Sequence, residues 1–267
     1  MSPTTTDQSR RIVVCAIACD DEPFVDGFVQ TAREHADLVC VGDTGSTDDT
    51  ARRLRAAGAS VIDVPRSVLL TGGFAAARNY LLDRVPATAA FVHWLDLDER
   101  ITVEGARLPN RQPYGDVLTR TYDFDAGVDL ANWRSALGRA SSDEGHTRIH
   151  ANSPRVRWAG LVHEELWGSW HRRERVEVTH HHLTHFRDAG RRARRRGLYS
   201  FLLWRGLTVR ALRRGTNPWW FTERVRHLGP EGLVAERDEA QRFHDQNRAA
   251  IDFAVDWRLP RREWWRR

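Results

Sequence analysis

The hydrophobic residues near the start of the chain form short continuous runs, and polar segments separate them. The run RIVVCAIAC (residues 11–19) is rich in β-branched residues and predicts a buried strand, and LVCVGD (38–43) predicts a second strand. Apolar positions at helical spacing predict helices over 24–36 and 50–58, and a third strand follows over 60–65. This alternation predicts a parallel sheet with a binding crevice at the carboxyl ends of its strands.

The later sequence predicts a helix over 74–84 and then a looser, partly antiparallel arrangement. Five segments predict further strands: AAFVHWL (89–95), 114–124, 147–150, 155–166 and VEVTHHHLTH (176–185). From Arg191 onward the composition is helical. The fold class is therefore expected to be α/β: a Rossmann-like mixed, mainly parallel sheet flanked by helices, with a helical C-terminal extension.

A boundary is expected near residue 190, between a catalytic and acceptor-binding domain (1–190) and an Arg/Trp-rich extension (191–267). Hydrophobic residues make up 41% of the chain and charged residues 29%, which is typical of a globular protein. The sequence contains no run of roughly 18 to 20 apolar residues that would predict a transmembrane segment. The polar opening MSPTTTDQSR lacks the apolar region of a secretion signal, so a cytoplasmic location is expected.

All 41 basic residues are arginine, the net charge is +5, and the arginines concentrate between residues 187 and 214. Such a basic region favours phosphates, nucleic acid or an anionic membrane surface as partners. The tail EWWRR (263–267) favours a docking or homodimer contact. The three cysteines, Cys15, Cys19 and Cys40, lack metal-ligand spacing and are expected to pack in the core.

Two carboxylates, Asp96 and Asp98, follow the apolar strand AAFVHWL. Residues i and i+2 at a strand end project to the same side, so both carboxylates are expected to face one point. Carboxylate oxygens are the ligands that Mg²⁺ and Mn²⁺ prefer, and one or two suffice when substrate phosphates complete the shell. The alternative is a solvated acidic loop.

The segment VGDTGSTDDT (41–50) places Asp43 at the end of the second strand and Gly45 in the following turn. The carboxylate of Asp43 is suited to accept a hydrogen bond from a nucleotide base, while Gly45 leaves room for a nucleoside; the alternative is a helix cap. The chain has neither G-x-G-x-x-G after the first strand nor a P-loop motif, which argues against a dinucleotide or P-loop site.

The ordered set CDDEPFV, VGDTGSTDDT, GGFAAARN, WLDLDER and RVRWAGLVHEEL resembles the family 2 glycosyltransferases of the A-type fold, in the branch with a D-T-G-S-T-D motif. The resemblance covers residues 11 to about 185. It implies a nucleotide-diphosphate-sugar donor, with a UDP-sugar favoured, a Mn²⁺ or Mg²⁺ ion, and transfer of a hexose with inversion.

The resemblance also implies roles for individual residues. They are Asp43 at the base, Asp20 and Glu22 beside the nucleoside with Gly45 in the same loop, Arg78 at the nucleotide, Asp96 at the ribose or metal, and Asp98 at the metal. Relatives usually carry K-N-E where this chain has Cys19-Asp20-Asp21-Glu22, so Glu22 matches the family pattern and Asp20 departs from it.

Inverting transfer requires a base within hydrogen-bond reach of the acceptor nucleophile. Glu164 is the candidate, Glu165 is its nearest competitor, and His163 is expected to orient the base or bind the acceptor. The alternative for Glu164 is a surface carboxylate on a loop. The acceptor itself is left open among a peptide, a lipid-linked sugar, a small molecule and modified DNA.

A histidine cluster, HHHLTH (180–185), ends the last predicted strand, and alternation places His180 and His182 on one side. The resemblance implies that His182 or His185 adds a metal ligand, against the alternative of a polar strand edge. One or two of the tryptophans 94, 133, 158, 167 and 170 are candidates for an acceptor platform.

Two other functions compete with that of a transferase. A nucleotidyltransferase would require a Gly-rich basic loop after the first strand, which CDDEP does not provide. A nucleic-acid-binding protein, or a transferase acting on modified DNA, would use the Arg- and Trp-rich region after residue 187.

Overall fold

The structure is a computed structural model that describes residues 11–103, 114–121, 133–135, 142–168, 174–183, 189–206, 218–255 and 257. Its strands are β1 (Arg11–Ala18), β2 (Leu38–Asp43), β3 (Ser60–Asp63), β4 (Ala89–Trp94), β5 (Glu99–Val103), β6 (Tyr114–Thr121), β7 (Ser142–Ala151), β8 (Arg157–Ala159), β9 (Glu165–Trp167) and β10 (Glu174–His182). Its α-helices are α1 (Val25–His35), α2 (Thr50–Ala56), α3 (Arg66–Leu82), α4 (Ala189–Gly206) and α5 (Pro218–Gln246). Short 3₁₀ turns occupy Glu22–Phe24 and Arg248–Ala250.

The chain divides into two compact units. The first unit comprises residues 1–64, 80–156 and 168–187, and the second comprises 65–79, 157–167 and 188–267. The second unit therefore combines the C-terminal helices with two earlier segments of the chain.

The sheet of the first unit has eight strands in the order β3-β2-β1-β4-β7-β6-β10-β5. Four neighbouring pairs are parallel, β2 with β3, β1 with β2, β1 with β4, and β6 with β10. The pairs β4 with β7, β6 with β7, and β5 with β10 are antiparallel. The predicted α/β class with a mixed, mainly parallel sheet and a helical C-terminal part is confirmed.

The core of the first unit lies on both faces of β1. Residues Ile12–Ala16 are all buried, which explains why this strand is a continuous apolar run and not an alternating one. On one face, Phe28 and Val29 of α1 join the same hydrophobic cluster as alternate residues of β1 and β2. The amphipathic pattern that predicted α1 therefore buries its apolar side against the sheet.

The second unit has a separate hydrophobic core, formed largely by α4 and α5. Phe201, Leu202 and Trp204 of α4 are buried in one cluster with Leu233 and Phe243 of α5. The antiparallel strands β8 and β9 form a small hairpin in this unit.

Helix α3 spans Arg66–Leu82 and therefore begins eight residues before the predicted helix over 74–84. It is kinked at Gly73, which is non-helical with a φ of 70°, and the residues before the kink are helical as well. A Cβ atom at this position would lie 2.3 Å from the Cα atom of Leu161 and 2.2 Å from its carbonyl oxygen. The hairpin of the second unit therefore packs against a position that only glycine fits.

The expectation that all three cysteines pack in the core is wrong for one of them. Cys15 and Cys40 are buried in adjacent strands, whereas Cys19 is exposed because β1 ends one residue before it, and none of the three forms a disulfide. Among the described residues, no helix has the length and apolar character needed to cross a bilayer.

Candidate active site

The topology of the first unit brings the carboxyl ends of several strands to one edge of the sheet. Strands β1, β2 and β4 run parallel, and β7 is antiparallel to both β4 and β6. Strand β10 is parallel to β6 and therefore also runs in the direction of β4. The carboxyl ends Ala18, Asp43, Trp94 and His182 consequently lie at the same edge, where α/β proteins bind their ligands.

The loops after β1 and β2 are joined by side-chain hydrogen bonds. Oδ1 of Asp20 accepts from the backbone N–H of Thr47 at 2.7 Å and from its hydroxyl at 3.1 Å. The backbone N–H of Asp20 donates to Oγ of Ser46 at 3.0 Å. Asp20 has a φ of 51°, a left-handed conformation that is costly for a non-glycine residue and concentrates at functional sites. Asp20 braces the two loops, and its placement beside a nucleoside stays a prediction.

Asp43, the candidate for base recognition, is 7% exposed and organises the loop that follows it. Its carboxylate accepts from the backbone N–H groups of Gly45 and Ser46, each at 3.2 to 3.3 Å, and from the Ser46 hydroxyl at 2.5 Å. Gly45 has a φ of 103°, so the predicted tight turn does require glycine. The D-T-G-S sequence thus fixes its own loop, and recognition of a base by Asp43 is untested.

Glu22, the other candidate beside the nucleoside, lies in the 3₁₀ turn after β1. Its carboxylate is 3.4 Å from the guanidinium of Arg53 on α2, which also pairs with Asp26 at 2.6 Å. The side chain of Glu22 is 37% exposed. Arg53 therefore holds Glu22 to the first turns of both helices while leaving it accessible to solvent.

The D-x-D motif lies in a turn of the structure. Strand β4 ends at Trp94, so Asp96 and Asp98 lie in the turn 95–98 between β4 and β5 and not on a continuing strand. Strand alternation therefore does not align them. The turn is fixed instead by Arg100, which is 1% exposed and donates to the carbonyl oxygens of Leu97 and Phe24.

The turn nevertheless brings Asp98 to a predicted histidine. Oδ2 of Asp98 lies 3.3 Å from Nε2 of His182 at the end of β10. The Asp98 side chain is 5% exposed and that of His182 is 26% exposed, so the pair is reachable from one side. The backbone N–H of Leu183 also donates to the carbonyl of Asp98 at 2.8 Å, which fixes the two segments together.

Asp96 has a different set of contacts. Its Oδ2 lies 3.6 Å from the guanidinium of Arg148 on β7, and its side chain is 30% exposed. Arg148 also donates to Oε1 of Glu99 at 3.3 Å. We call the set Asp96, Asp98, Glu99, Arg148, His93, His180 and His182 the carboxylate–histidine cluster.

Three buried members of this cluster were not predicted as site residues. His93 and His180 face each other with their Nε2 atoms 2.8 Å apart, and Nδ1 of His180 lies 3.1 Å from Oε2 of Glu99. Burial, reinforced by His180, lowers the pKa of the His93 imidazole well below its usual value. Burial acts to raise the pKa of the Glu99 carboxyl, but Arg148 and His180 lower it well below its usual range.

The cluster fits a hard divalent cation. Asp98 and His182 supply one carboxylate and one imidazole, 3.3 Å apart. In the part of the chain that the structure describes, no three ligating side chains converge on one point. Mg²⁺ and Mn²⁺ fit such an incomplete site because they usually retain waters and bind substrate phosphates. The cluster contains three carboxylates and one guanidinium, a charge balance that favours a cation.

The second unit contains the candidate base. Oε1 of Glu164 accepts from Nε of Arg78 at 2.6 Å, and the two side chains are 11% and 8% exposed. The guanidinium of Arg78 also lies 5.0 Å from the centre of the Trp158 ring. Arg78 and Glu164, which were predicted for different roles, are thus direct partners, and neither role is tested by this contact.

Neighbouring residues hold the loop that carries Glu164. Asn79, which sequence analysis did not single out, donates to the carbonyl of Trp158 and accepts from its N–H, each at 2.9 Å. His163 has a φ of 49° and its ring lies edge-on to Tyr199. Glu165 is exposed and pairs with Ala159 in the hairpin. A strained backbone that neighbouring contacts keep in place is typical of functional loops.

Several predicted features are structural or fall elsewhere. Trp94 and Trp133 are buried, and Trp94 donates to Nε2 of His150 at 2.9 Å, whereas Trp167 is 47% exposed. His185, Trp170, the tail 263–267 and the arginine side chains of 187–194 lie outside the described residues and side chains. The sequence analysis did not identify Glu99 or Arg148 as site residues. Glu99 continues the acidic run D-L-D-E, which could have indicated it, whereas the only pattern around Arg148 is that of its strand.

No protein-family model matches the chain, and none of the curated proteins is similar to it. Among solved structures, glucosyl-3-phosphoglycerate synthase from Mycobacterium tuberculosis in complex with Mn²⁺, UDP and glucosyl-3-phosphoglycerate is 25% identical over 37% of this chain and 40% of that chain, with a TM-score of 0.29. The same enzyme with phosphoglyceric acid is 21% identical over 46% and 49%, with a TM-score of 0.31. A mycobacterial protein is 23% identical over 46% and 45%, with a TM-score of 0.27. The chain spans less than half the length of each, and similarity at this level establishes no function for it.

Proposed function

We propose that the protein is a metal-dependent glycosyltransferase that transfers a hexose from a nucleotide-diphosphate sugar, with a UDP-sugar favoured, to an acceptor with inversion. The contact between Asp98 and His182 carries this proposal. The family resemblance had implied Asp98 as a metal ligand and either His182 or His185 as a further ligand, from motifs in separate segments. The meeting of Asp98 and His182 at the ligand-binding edge of the sheet supports a donor site there.

The proposed roles follow from the chemistry of the residues. Asp98 and His182 would hold Mn²⁺ or Mg²⁺, which offsets the charge that develops on the leaving diphosphate. Asp43 and its loop would accept the nucleoside, with Asp20 and Glu22 at the neighbouring turn and Asp96 at the ribose or metal. Glu164 would accept the proton of the attacking acceptor group, since inversion places the base opposite the leaving group.

Calorimetric titration of the protein with UDP, GDP and dTDP, each with and without Mn²⁺, tests the donor class. The expected result is binding of UDP that requires Mn²⁺ and weaker binding of the other two nucleotides. Metal-independent binding, or no binding by any nucleotide, would contradict the proposal and would favour a role for the Arg-rich region in binding a polyanion.

A substitution in the metal site sharpens this test. Asp98→Asn should abolish metal-dependent release of UDP from UDP-hexoses because the amide is a poor ligand for hard cations. Asp63→Asn is the matched control, since Asp63 ends β3 with an 81% exposed side chain that pairs with Arg55. Retained, Mn²⁺-dependent turnover in Asp98→Asn would overturn the metal assignment.

A further inference from the structure

We infer that Glu99 and Arg148 are positioning residues that hold Asp96 in a fixed orientation for the metal-bound donor. This inference rests on the proposed function. It assigns a role to two buried residues outside the motifs of the sequence analysis, and three sets of contacts carry it.

Glu99 holds the backbone of Asp96. Oε2 of Glu99 accepts from the Asp96 N–H at 2.9 Å, and the Asp96 carbonyl accepts from the Glu99 N–H at 2.9 Å. The two bonds close a ring around the turn 95–98. A carboxylate that accepts a backbone N–H in a buried place makes a strong, charge-assisted bond. Movement of Asp96 away from this position would break that bond.

Arg148 holds the side chain of Asp96. Its guanidinium binds Oε1 of Glu99 at 3.3 Å and approaches Oδ2 of Asp96 at 3.6 Å, using different nitrogen atoms. A planar guanidinium can bridge two carboxylates in this way, whereas a lysine ammonium is a single point charge. Glu99 and Arg148 thus fix the backbone and the side chain of Asp96 together.

His180 links this pair to the segment that carries the other predicted ligand. It bonds Oε2 of Glu99, the same oxygen that holds Asp96, and it lies two residues before His182. In the sheet, His182 is paired directly with Glu99. The carboxylate of Glu99 therefore joins β10 to the turn 95–98, the two segments whose separation sets the spacing between Asp98 and His182.

Outer partners of metal ligands affect binding when their loss frees the ligands to move. The side chain of Glu99 is 2% exposed and that of Arg148 is 14% exposed, so neither presents a large surface to a ligand. Their effect is therefore expected through Asp96 and the turn, and not through direct contact with the donor.

The experiment compares Glu99→Gln and Arg148→Gln with wild type and with the control Thr31→Val. Thr31 is buried, and its hydroxyl accepts from the N–H of Ile101 on the same strand as Glu99. The control therefore removes a buried hydrogen bond close to Glu99 without touching Asp96. The measurements are calorimetric titration with Mn²⁺ alone, titration with UDP at saturating Mn²⁺, and thermal unfolding without metal.

The expected result is a loss of about 10- to 100-fold in Mn²⁺-dependent UDP affinity in both glutamine variants, with Thr31→Val close to wild type. Arg148→Lys should recover part of the loss because it restores one charge but not the bridge. If Glu99→Gln does not fold, the UDP affinities of Arg148→Gln and Arg148→Lys test the positioning role, since Arg148 is the less buried partner.

Wild-type affinity in the variants, or equal losses in Thr31→Val, would overturn the positioning role while leaving the proposed function intact. Absence of metal-dependent nucleotide binding in the wild-type protein would overturn the proposed function and the positioning role with it. The two failures are therefore distinguishable.

Discussion

Nε2 of His182 and Oδ2 of Asp98 lie 3.3 Å apart, although 84 residues separate them in the sequence. The contact depends on topology, because β10 runs in the direction of β4 and ends at the same edge of the sheet. A carboxylate and an imidazole brought together in this way can bind one cation more strongly than either can alone.

His182→Gln should reduce the affinity for Mn²⁺ by about tenfold or more, because the amide replaces a nitrogen ligand with a weaker one. Calorimetric titration with Mn²⁺ in the presence of UDP measures the change. His227→Gln, at an exposed position of α5, is the control and should leave Mn²⁺ affinity unchanged. Equal Mn²⁺ affinities for His182→Gln and wild type would assign His182 a structural role only.

The sequence predicted local elements well where one pattern dominated. Strand β2 matches its predicted bounds, 38–43, because the polar residue Asp37 precedes the apolar run and Asp43 ends it. Strand β4 was predicted over 89–95 and ends at Trp94, and Asp96 and Asp98 then lie in a turn. The turn is set by Arg100, whose partners include Phe24, and so distant a contact leaves no local pattern.

The candidate site was predictable only in part for the same reason. Asp98 and His182 follow apolar strands, and strand ends are where ligands bind, so their positions in the sequence point to a site. Arg148 lies within a strand, and its importance arises from Glu99, which is 49 residues away. A bridge between two strands that are distant in sequence is a product of tertiary structure and has no periodic signal.

Gly73→Ala should destabilise the protein severely, by about 3 kcal/mol or more, because the new Cβ would overlap the backbone of Leu161 in addition to requiring a positive φ. Backbone atoms at 2.2 to 2.3 Å cannot move aside as a flexible side chain would. Denaturant unfolding of the two proteins measures the difference in the free energy of unfolding.

Gly229→Ala is the matched control for this substitution. Gly229 also interrupts a long helix, with a φ of 63°, but a Cβ there would meet nothing within 4 Å. Gly229→Ala should lower the free energy of unfolding only by its backbone strain, about 1–2 kcal/mol. Similar losses at both positions would mean that the contact with Leu161 contributes little.

The stability of the protein should fall on acidification below about pH 6.5, the ordinary pKa of histidine. Burial and His180 lower the pKa of His93 in the folded protein, so below this pH the unfolded chain binds a proton that the folded protein does not. The free energy of unfolding then falls by up to about 1.4 kcal/mol per pH unit. Glu99, Arg148 and His35 also act on His93, the first raising and the other two lowering its pKa.

His93→Phe tests this assignment because it keeps a planar ring of similar size and removes the titrating group. Its free energy of unfolding, measured by denaturant titration between pH 7 and pH 5, should depend less steeply on pH than that of wild type. Loss of the Glu99 contribution begins only below about pH 4.5, since its pKa is lowered in the folded state, and so it falls outside this window. Parallel pH profiles for the two proteins would rule out His93 as the source.

Glu164→Gln should separate the two roles open to Glu164. Its carboxylate lies 2.6 Å from the buried guanidinium of Arg78, so loss of the negative charge should destabilise the protein by roughly 3 kcal/mol. If Glu164 is also the base, the variant should bind UDP and Mn²⁺ normally and transfer sugar much more slowly. Unfolding in denaturant, UDP titration and acceptor turnover are the three measurements.

Arg78→Met and the double variant Arg78→Met/Glu164→Gln complete the test. Without the guanidinium of Arg78, loss of the Glu164 charge no longer leaves a buried cation without its partner. The double variant should therefore be more stable than the sum of the two single losses predicts. A catalytic defect in the double variant that exceeds the defect of Arg78→Met alone, after stability has recovered, would assign Glu164 a chemical role. A defect that recovers together with stability would show that Glu164 serves only to hold Arg78.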